Sequence, residues 1–395
     1  MEAFYRTHKY LVTHLGTPVR RGLMDEVDWS RRLIGIKGCR EIGKTTFLLS
    51  YARECFAPDG RECLYVNLNN FIFTERTLTD FAGEFYANGG KVLLIDQIFK
   101  YPNWSRELRY CYDHYTNLRI VFTGSSVMRI KEENHEVGDI VAPYYLRGFS
   151  FREYLNLKTG LDLQPFSFDM LMRDRHLIAR DICDQVNPGE YFHDYLHHGF
   201  YPFFLEKRNY SENLLKMMNM TLEVDVLYIR QIEQRYLPKL RRLLYIISQN
   251  DSCTINISQL SKDIGTSRAT VMNYLKYLKD ARMITLLYPR GEEFPQKPVY
   301  AYLYNPNLLH VMNRQTQDER TVNEAFFFNQ LLKDNRVNAY DRHNSFLVND
   351  RYLFRVSYPE ARWKVSPDFY YAVDEVEPPL DEPNCIPLWM FGFLY

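Results

Sequence analysis

"RRLIGIKGCREIGKTTFLLSYARECF", residues 31–56, sets the architecture of the first part of this chain. Leu33 to Ile36 is a short apolar run that reads as a buried strand, a glycine-bearing turn follows it, and Phe47, Leu48 and Leu49 then mark the apolar side of a helix. Between strand and helix, Gly38, four residues, Gly43, Lys44 and Thr45 complete the phosphate-loop pattern. Glycines let the backbone turn so that its amides face phosphate oxygens at a helix N-terminus. Lys44 is placed to reach the outer phosphates, and Thr45 to offer its hydroxyl to Mg2+. The candidate nucleotide-binding residues are therefore Gly38, Cys39, Arg40, Glu41, Ile42, Gly43, Lys44, Thr45 and Thr46.

Further β-rich runs follow, "ECLYVNLNNF" (62–71), "KVLLID" (91–96) and "LRIVFTGSS" (118–126). Helical stretches, "LTDFAGEFYANGG" (78–90) and "NWSRELRYCYDHY" (103–115), lie between them. Strands alternating with helices predict a parallel sheet covered on both faces. The third run delivers Asp96 at its end, the place for a Mg2+-linked carboxylate, so ATP and Mg2+ are the expected ligands. At the next position, where a glutamate would take a proton from the attacking water, stands Gln97, whose amide has nearly the same shape and cannot accept that proton. At the end of the fourth run, Thr123, Ser125 and Ser126 are candidates to sense the γ-phosphate, and ordinary strand-end capping accounts equally well for any one of them.

At 395 residues the chain exceeds one ordinary core. Its 46% hydrophobic and 25% charged residues are globular, and a formal net charge of zero supplies no bulk attraction to nucleic acid or anionic membrane. No stretch approaches the ~20 apolar residues that span a bilayer. The expected location is cytoplasmic, with no membrane partner. Seven scattered cysteines, none in a Cys-x-x-Cys spacing, argue against a disulfide framework or a zinc ribbon. His193 and His197 stand one helical turn apart, yet the glutamate of the zinc-protease pattern is missing, so they read as polar residues near a helix end stopped by Gly199 and Pro202.

Residues 156–236 look helical and aromatic-rich. From Leu237 a stripe of Leu240, Leu243, Leu244 and Ile247 predicts a helix, and "NISQLSKDIGTSRATVMNYLKYLKDARMITLLY" (256–288) then reads as helix, glycine turn, helix and strand, the layout of a winged helix-turn-helix. Its second helix would turn Arg268, Thr270, Asn273 and Lys276 toward DNA and pack Val271, Leu275 and Leu278 inward. The six Lys/Arg against three Asp between Asp251 and Arg290 are a modest surplus, which suits an interdomain wedge at least as well. The remainder is β-rich, with an Asn349-Asp350 turn between alternating apolar residues.

With these residues in view, the chain resembles prokaryotic AAA-type P-loop ATPases that append a winged helix and a C-terminal domain similar to restriction endonucleases. The resemblance rests on "DEVDWSRRLIGIKG", "GKTTFLL", "KVLLIDQIFKYPNWSRELR", "LRIVFTGSS", "GFSFREYL", "GFYPFFLE", "YLKYLKDARMI" and "IPLWMFGFLY", which together span almost the whole chain. It implies ATP binding and an α/β P-loop NTPase of the AAA/ASCE type. The implied layout is an N-terminal arm (1–30), the ATPase core (31–155), a helical lid or connector (156–236), a winged helix (237–290) and a small α+β nuclease-like domain (291–395).

Against that family's pattern the chain has Gln97 for the usual glutamate and Glu41 for a usual phosphate-loop glycine. Where the family tends to carry an arginine pair stand Asp139 and Ile140, with Arg147 and Arg152 remaining nearby. In the nuclease-like part, Ser345 and Arg355 occupy acidic positions, the lysine region reads "VSYPEARWK" (356–364), and Glu324 alone is left of the constellation. The expectation is a naturally degenerate pseudoenzyme, an ATP-binding switch or assembly module with weak or no hydrolysis. Its alternatives are an active ATPase, with Gln97 engineered or the base supplied elsewhere, and a winged-helix DNA-binding regulator. Besides ATP, self-association and DNA stay open as partners.

Overall fold

The computed structural model describes residues 1–16, 19–206, 209–312, 318–341, 344–357, 366–376 and 384–395. The chain divides into two compact units, Met1–Arg147 and Gly148–Tyr395.

The first unit is built on strands β1 (Leu33–Gly38), β2 (Cys63–Asn67), β3 (Val92–Asp96), β4 (Arg119–Ser125) and β5 (Ala142–Tyr145). They form one sheet in the order β2-β3-β4-β1-β5, every pair parallel. All five residues of β3 are buried, which is why its sequence is an unbroken apolar run and why only its last residue is charged. Of these strands β5, "APYY", carries no sequence signal; it is short, half-buried and joins through pairing with β1. The helices are α1 (Glu2–Thr13), the short α2 (Leu23–Glu26), α3 (Lys44–Cys55), α4 (Leu78–Ala87), α5 (Trp104–His114) and the short α6 (His135–Gly138).

Helix α1 packs on β2 and α3, so part of the residues 1–30 expected as an arm lies against the sheet. β2 is an edge strand, and an edge N–H needs a partner once it is covered. The backbone N–H of Tyr65 donates to Nδ1 of the buried His8, at 3.0 Å. Burial lowers the pKa of His8, which keeps the ring neutral and its nitrogen an acceptor.

The second unit opens with helices α7 (Phe151–Thr159), α8 (Phe168–Cys183), α9 (Gly189–His198) and α10 (Tyr210–Met220), a π-turn (Thr221–Val226) and the short α11 (Leu227–Ile229). Then come α12 (Leu237–Ser248), α13 (Ile257–Asp263) and α14 (Arg268–Asp280), followed by an antiparallel ribbon of β6 (Ile284–Leu287) and β7 (Tyr300–Leu303). Gly265, with φ 61°, makes the turn between α13 and α14. Helices α15 (Pro306–Met312) and α16 (Glu319–Leu331) lead into β8 (Val337–Ala339), β9 (Phe346–Val348), β10 (Tyr352–Val356), β11 (Tyr370–Val373) and β12 (Cys385–Pro387). These last strands make a mixed sheet in the order β12-β11-β10-β9-β8. Asn349 and Asp350 both take positive φ, 51° and 57°, as the expected hairpin turn between β9 and β10 requires.

Candidate functional site

The phosphate loop runs from the end of β1 to the start of α3, and its glycines have separate reasons. A Cβ on Gly38 would stand 2.6 Å from the Leu146 carbonyl, so the loop is packed against backbone there. Gly43 takes φ 95° as the residue before α3. Glu41 also sits in the left-handed region, at φ 56°, and its side chain is exposed. Glycine would take this conformation freely, and the glutamate here bears strain. Ile42 is buried beneath the loop, while Thr45 and Thr46 at the first turn of α3 are exposed. Cys39 is buried with its Sγ 3.2 Å from the Tyr145 hydroxyl, and Arg40 is half-buried. Lys44 folds over the loop and donates to the carbonyls of Gly38 (3.0 Å) and Cys39 (2.6 Å).

Asp96 ends β3 at 1% exposure and is held by hydroxyls from three elements. Thr45 Oγ1 donates to its Oδ2 at 2.6 Å, Tyr65 Oη donates to the same oxygen at 2.9 Å, and Thr123 Oγ1 donates to Oδ1. These residues fit Mg2+. A Thr45 hydroxyl that gives its proton to Asp96 keeps its lone pairs for a cation, and the buried carboxylate supplies the anionic charge. Lys44 on α3 adds the positive charge that an outer phosphate needs. Burial, and then the Asp96 carboxylate, push the Tyr65 phenol well above its ordinary pKa, so it stays a proton donor.

Gln97 follows in a left-handed conformation, φ 60°. Its N–H donates to Thr123 Oγ1 at 2.9 Å, and its Oε1 accepts from Asn69 Nδ2 at 2.8 Å. Of the three sensor candidates, Thr123 joins this network. Ser125 Oγ accepts from the Val127 N–H at 3.4 Å, and the enclosed Ser126 Oγ has no hydrogen-bond partner among the described residues. Sequence reasoning missed Tyr65 and Asn69. Tyr65 reads as one more large residue in a β-rich run, and only the register, which pairs Asn67 with Asp96, shows that the end of β2 flanks the carboxylate.

The remaining candidates have the following surroundings, each within its own unit. Asp139 receives both hydrogen bonds of an Arg109 nitrogen, 3.0 Å each, on the surface, and Ile140 is half-buried. The Arg147 carbonyl accepts from Arg21 at 2.8 Å. Arg152 in the second unit donates to the carbonyls of Tyr395 (3.0 Å) and Leu163 (3.1 Å). On α14, Arg268 and Asn273 are exposed, Thr270 donates its N–H to the Ser267 cap, and the Lys276 ammonium lies 4.7 Å from the centre of the Phe294 ring. Val271, Leu275 and Leu278 are buried.

Glu324 is 1% exposed on α16, facing the Tyr302 hydroxyl, and its Oε1 has no hydrogen-bond partner among the described residues. Burial pushes its pKa up to about 8. Ser345 Oγ accepts from Arg355 Nε at 3.1 Å. Of "VSYPEARWK" only Val356 and Ser357 lie within the described residues. His193 and His197 face different partners, Asp374 at 4.0 Å and the stacked ring of His310, and no metal-holding group of three or more His, Cys, Asp or Glu occurs among the described residues. All seven cysteines are free.

Residues 30–155 match the family model of an AAA domain. The first part of the chain carries an AAA-family P-loop NTPase domain. Residues 189–319 match a second model, a domain of unknown function. Two uncharacterized proteins of Methanocaldococcus jannaschii are similar: MJ1637 is 24% identical over 277 residues (66% of this chain, 58% of that protein) and MJ1544 is 24% identical over 274 residues (64% and 55%). The chain thus spans little more than half the length of these curated relatives. Among solved structures, C. elegans PCH-2 aligns at TM-score 0.27 and 16% identity, covering 69% of this chain and 67% of that one. Domain III of the Thermotoga maritima replication initiation protein DnaA aligns at TM-score 0.22 and 16% identity, covering 67% and 90%. No helix among the described residues is long and apolar enough to cross a membrane.

Proposed function

We propose that this chain binds Mg-ATP and works as a nucleotide-dependent switch or assembly module with weak or no hydrolysis. One observation carries the reading: beside an Asp96 that retains its hydroxyl partners, the neighbouring position offers an amide, Gln97, tied to Asn69 and unable to take a proton from water. The alternative, an active ATPase with the base supplied elsewhere, would draw on Glu41, the exposed carboxylate of the phosphate loop. Asp139 at one expected arginine position is itself paired with Arg109, which adds to the case for slow turnover. In this reading residues 237–290 form a winged helix used as a wedge, since Lys276 lies on Phe294, and residues 291–395 form a degenerate nuclease-like domain used for packing or partner contact.

The reading is tested by calorimetric titration of ATP with and without Mg2+, beside γ-phosphate release at saturation. Lys44→Ala should weaken Mg-ATP binding at least tenfold, the loss of roughly 1.4 kcal/mol or more from a charged contact. Asp96→Ala should remove the Mg2+ dependence and leave metal-free affinity. Unchanged affinity in Lys44→Ala would overturn the site assignment.

A further inference from the structure

We propose that Tyr65 is a positioning residue for the metal-linked carboxylate, and that its phenol sets the preference of this site for Mg2+ over Ca2+. The inference rests on the nucleotide site described above and concerns a residue that the phosphate-loop pattern does not include.

The geometry is specific. An ionised carboxylate has about four lone-pair positions. Three hydroxyl protons already point at Asp96, two of them, from Thr45 and Tyr65, at Oδ2. One acceptor position is left, enough for a single contact such as a metal-bound water and too little for the carboxylate to wrap a cation. Thr45 and Thr123 are the hydroxyls that a phosphate-loop fold brings to this carboxylate from α3 and β4. Tyr65 comes from the buried middle of β2, outside the phosphate-loop residues, and that strand is held on its far side by the His8 acceptor. The phenol therefore holds Asp96 from a rigid element while Thr45, at an exposed first turn, is free to adjust to a ligand.

Metal chemistry turns this restraint into selectivity. Mg2+ keeps several waters and near-octahedral geometry, and is well served by a fixed carboxylate that makes one contact. Ca2+ takes six to eight oxygens and favours carboxylates that approach directly, often with both oxygens. Tyr65→Phe leaves the ring packing in place, opens a second acceptor position at Oδ2 and frees the carboxylate to swing. Outer partners of this kind are worth roughly 10- to 100-fold in metal affinity.

The test titrates ATP into the parent and Tyr65→Phe proteins in EDTA, in Mg2+ and in Ca2+. Metal-free affinity should be equal in the two, which certifies the fold of the variant. The gain in ATP affinity that Mg2+ gives should fall about tenfold in Tyr65→Phe, the gain from Ca2+ should hold or rise, and their ratio should drop at least fivefold. An unchanged Mg2+ to Ca2+ ratio overturns the proposal, and so does equal loss in all three conditions, because a structural role would move them together. A parent protein whose ATP binding shows no metal dependence would instead remove the nucleotide reading on which the inference stands.

Discussion

Glu41 stands where the phosphate loop enters the left-handed region, a conformation that glycine takes freely and that costs a side-chain-bearing residue about 1 to 2 kcal/mol. Glu41→Gly is expected to keep the course of the loop, release that strain and take a carboxylate away from the polyphosphate. The released strain adds to stability, while loss of the carboxylate's repulsion should let Mg-ATP bind more tightly, by up to roughly tenfold at about 1.4 kcal/mol per tenfold; calorimetry checks it, and equal or weaker affinity would refute it. Gln97→Glu restores a proton acceptor between Thr123 and Asn69 without supplying charge for the transition state. The variant should bind ATP as the parent does and turn over well below once per second, in the range of ~10⁻⁴ to 10⁻² per second for unassisted P-loop hydrolysis. Fast multiple turnover in a phosphate-release assay would mark Gln97 as an isolated block and sink the idea of broad degeneration.

At the scale of the element, α16 is unusual in that every residue from Thr321 to Leu331 is buried, polar ones included. Asn329 spends its amide on the Tyr304 carbonyl at 2.9 Å and Gln330 donates to the Tyr195 hydroxyl at 3.2 Å, whereas one Glu324 oxygen has no hydrogen-bond partner among the described residues. Its folded pKa, about 8, lies above the ordinary 4.5. Between those values the folded chain holds a proton that the unfolded chain has released, so unfolding free energy must fall as pH rises through this window, by at most about 1.4 kcal/mol per unit, and level off above it. Glu324→Gln keeps the shape, removes the titration and should flatten that slope, leaving the variant more stable than the parent at pH 8 to 9. Denaturant unfolding across pH 5 to 9 checks it; parallel slopes in parent and variant would exclude Glu324 as the source.

Across the whole molecule the formal charge is zero, 49 Lys and Arg against 49 Asp and Glu, so polyanion binding has only local patches to draw on. On α14 Lys276 lies by the Phe294 ring and Lys279 by the Tyr288 ring, which leaves Arg268 as the exposed cation of the candidates. With a slope of ~0.9 per phosphate contact, duplex DNA binding should show a log–log salt dependence no steeper than about 2, and a steep slope abolished by mutating Arg268 and Lys276 together would revive the DNA-binding reading.

What the sequence determined by itself is local or periodic. Residues 38–45 specify a strand, a turn and a helix N-terminus because glycine conformations and helix starts are written in consecutive residues. The apolar run before Asp96 announces a strand buried on both faces, and Asn349-Asp350 announces its hairpin. What only the tertiary structure decided are the meetings between elements distant in sequence. Strand β5 has no pattern of its own and exists through pairing with β1; Tyr65, Asn69 and Thr123 gather at Asp96 and Gln97 through parallel register; Glu324 acquires its raised pKa from burial among neighbours that a linear reading does not connect. Pattern speaks for the backbone that each segment prefers, whereas register and burial are properties of the packed chain, and it is these that set which hydroxyl reaches which carboxylate.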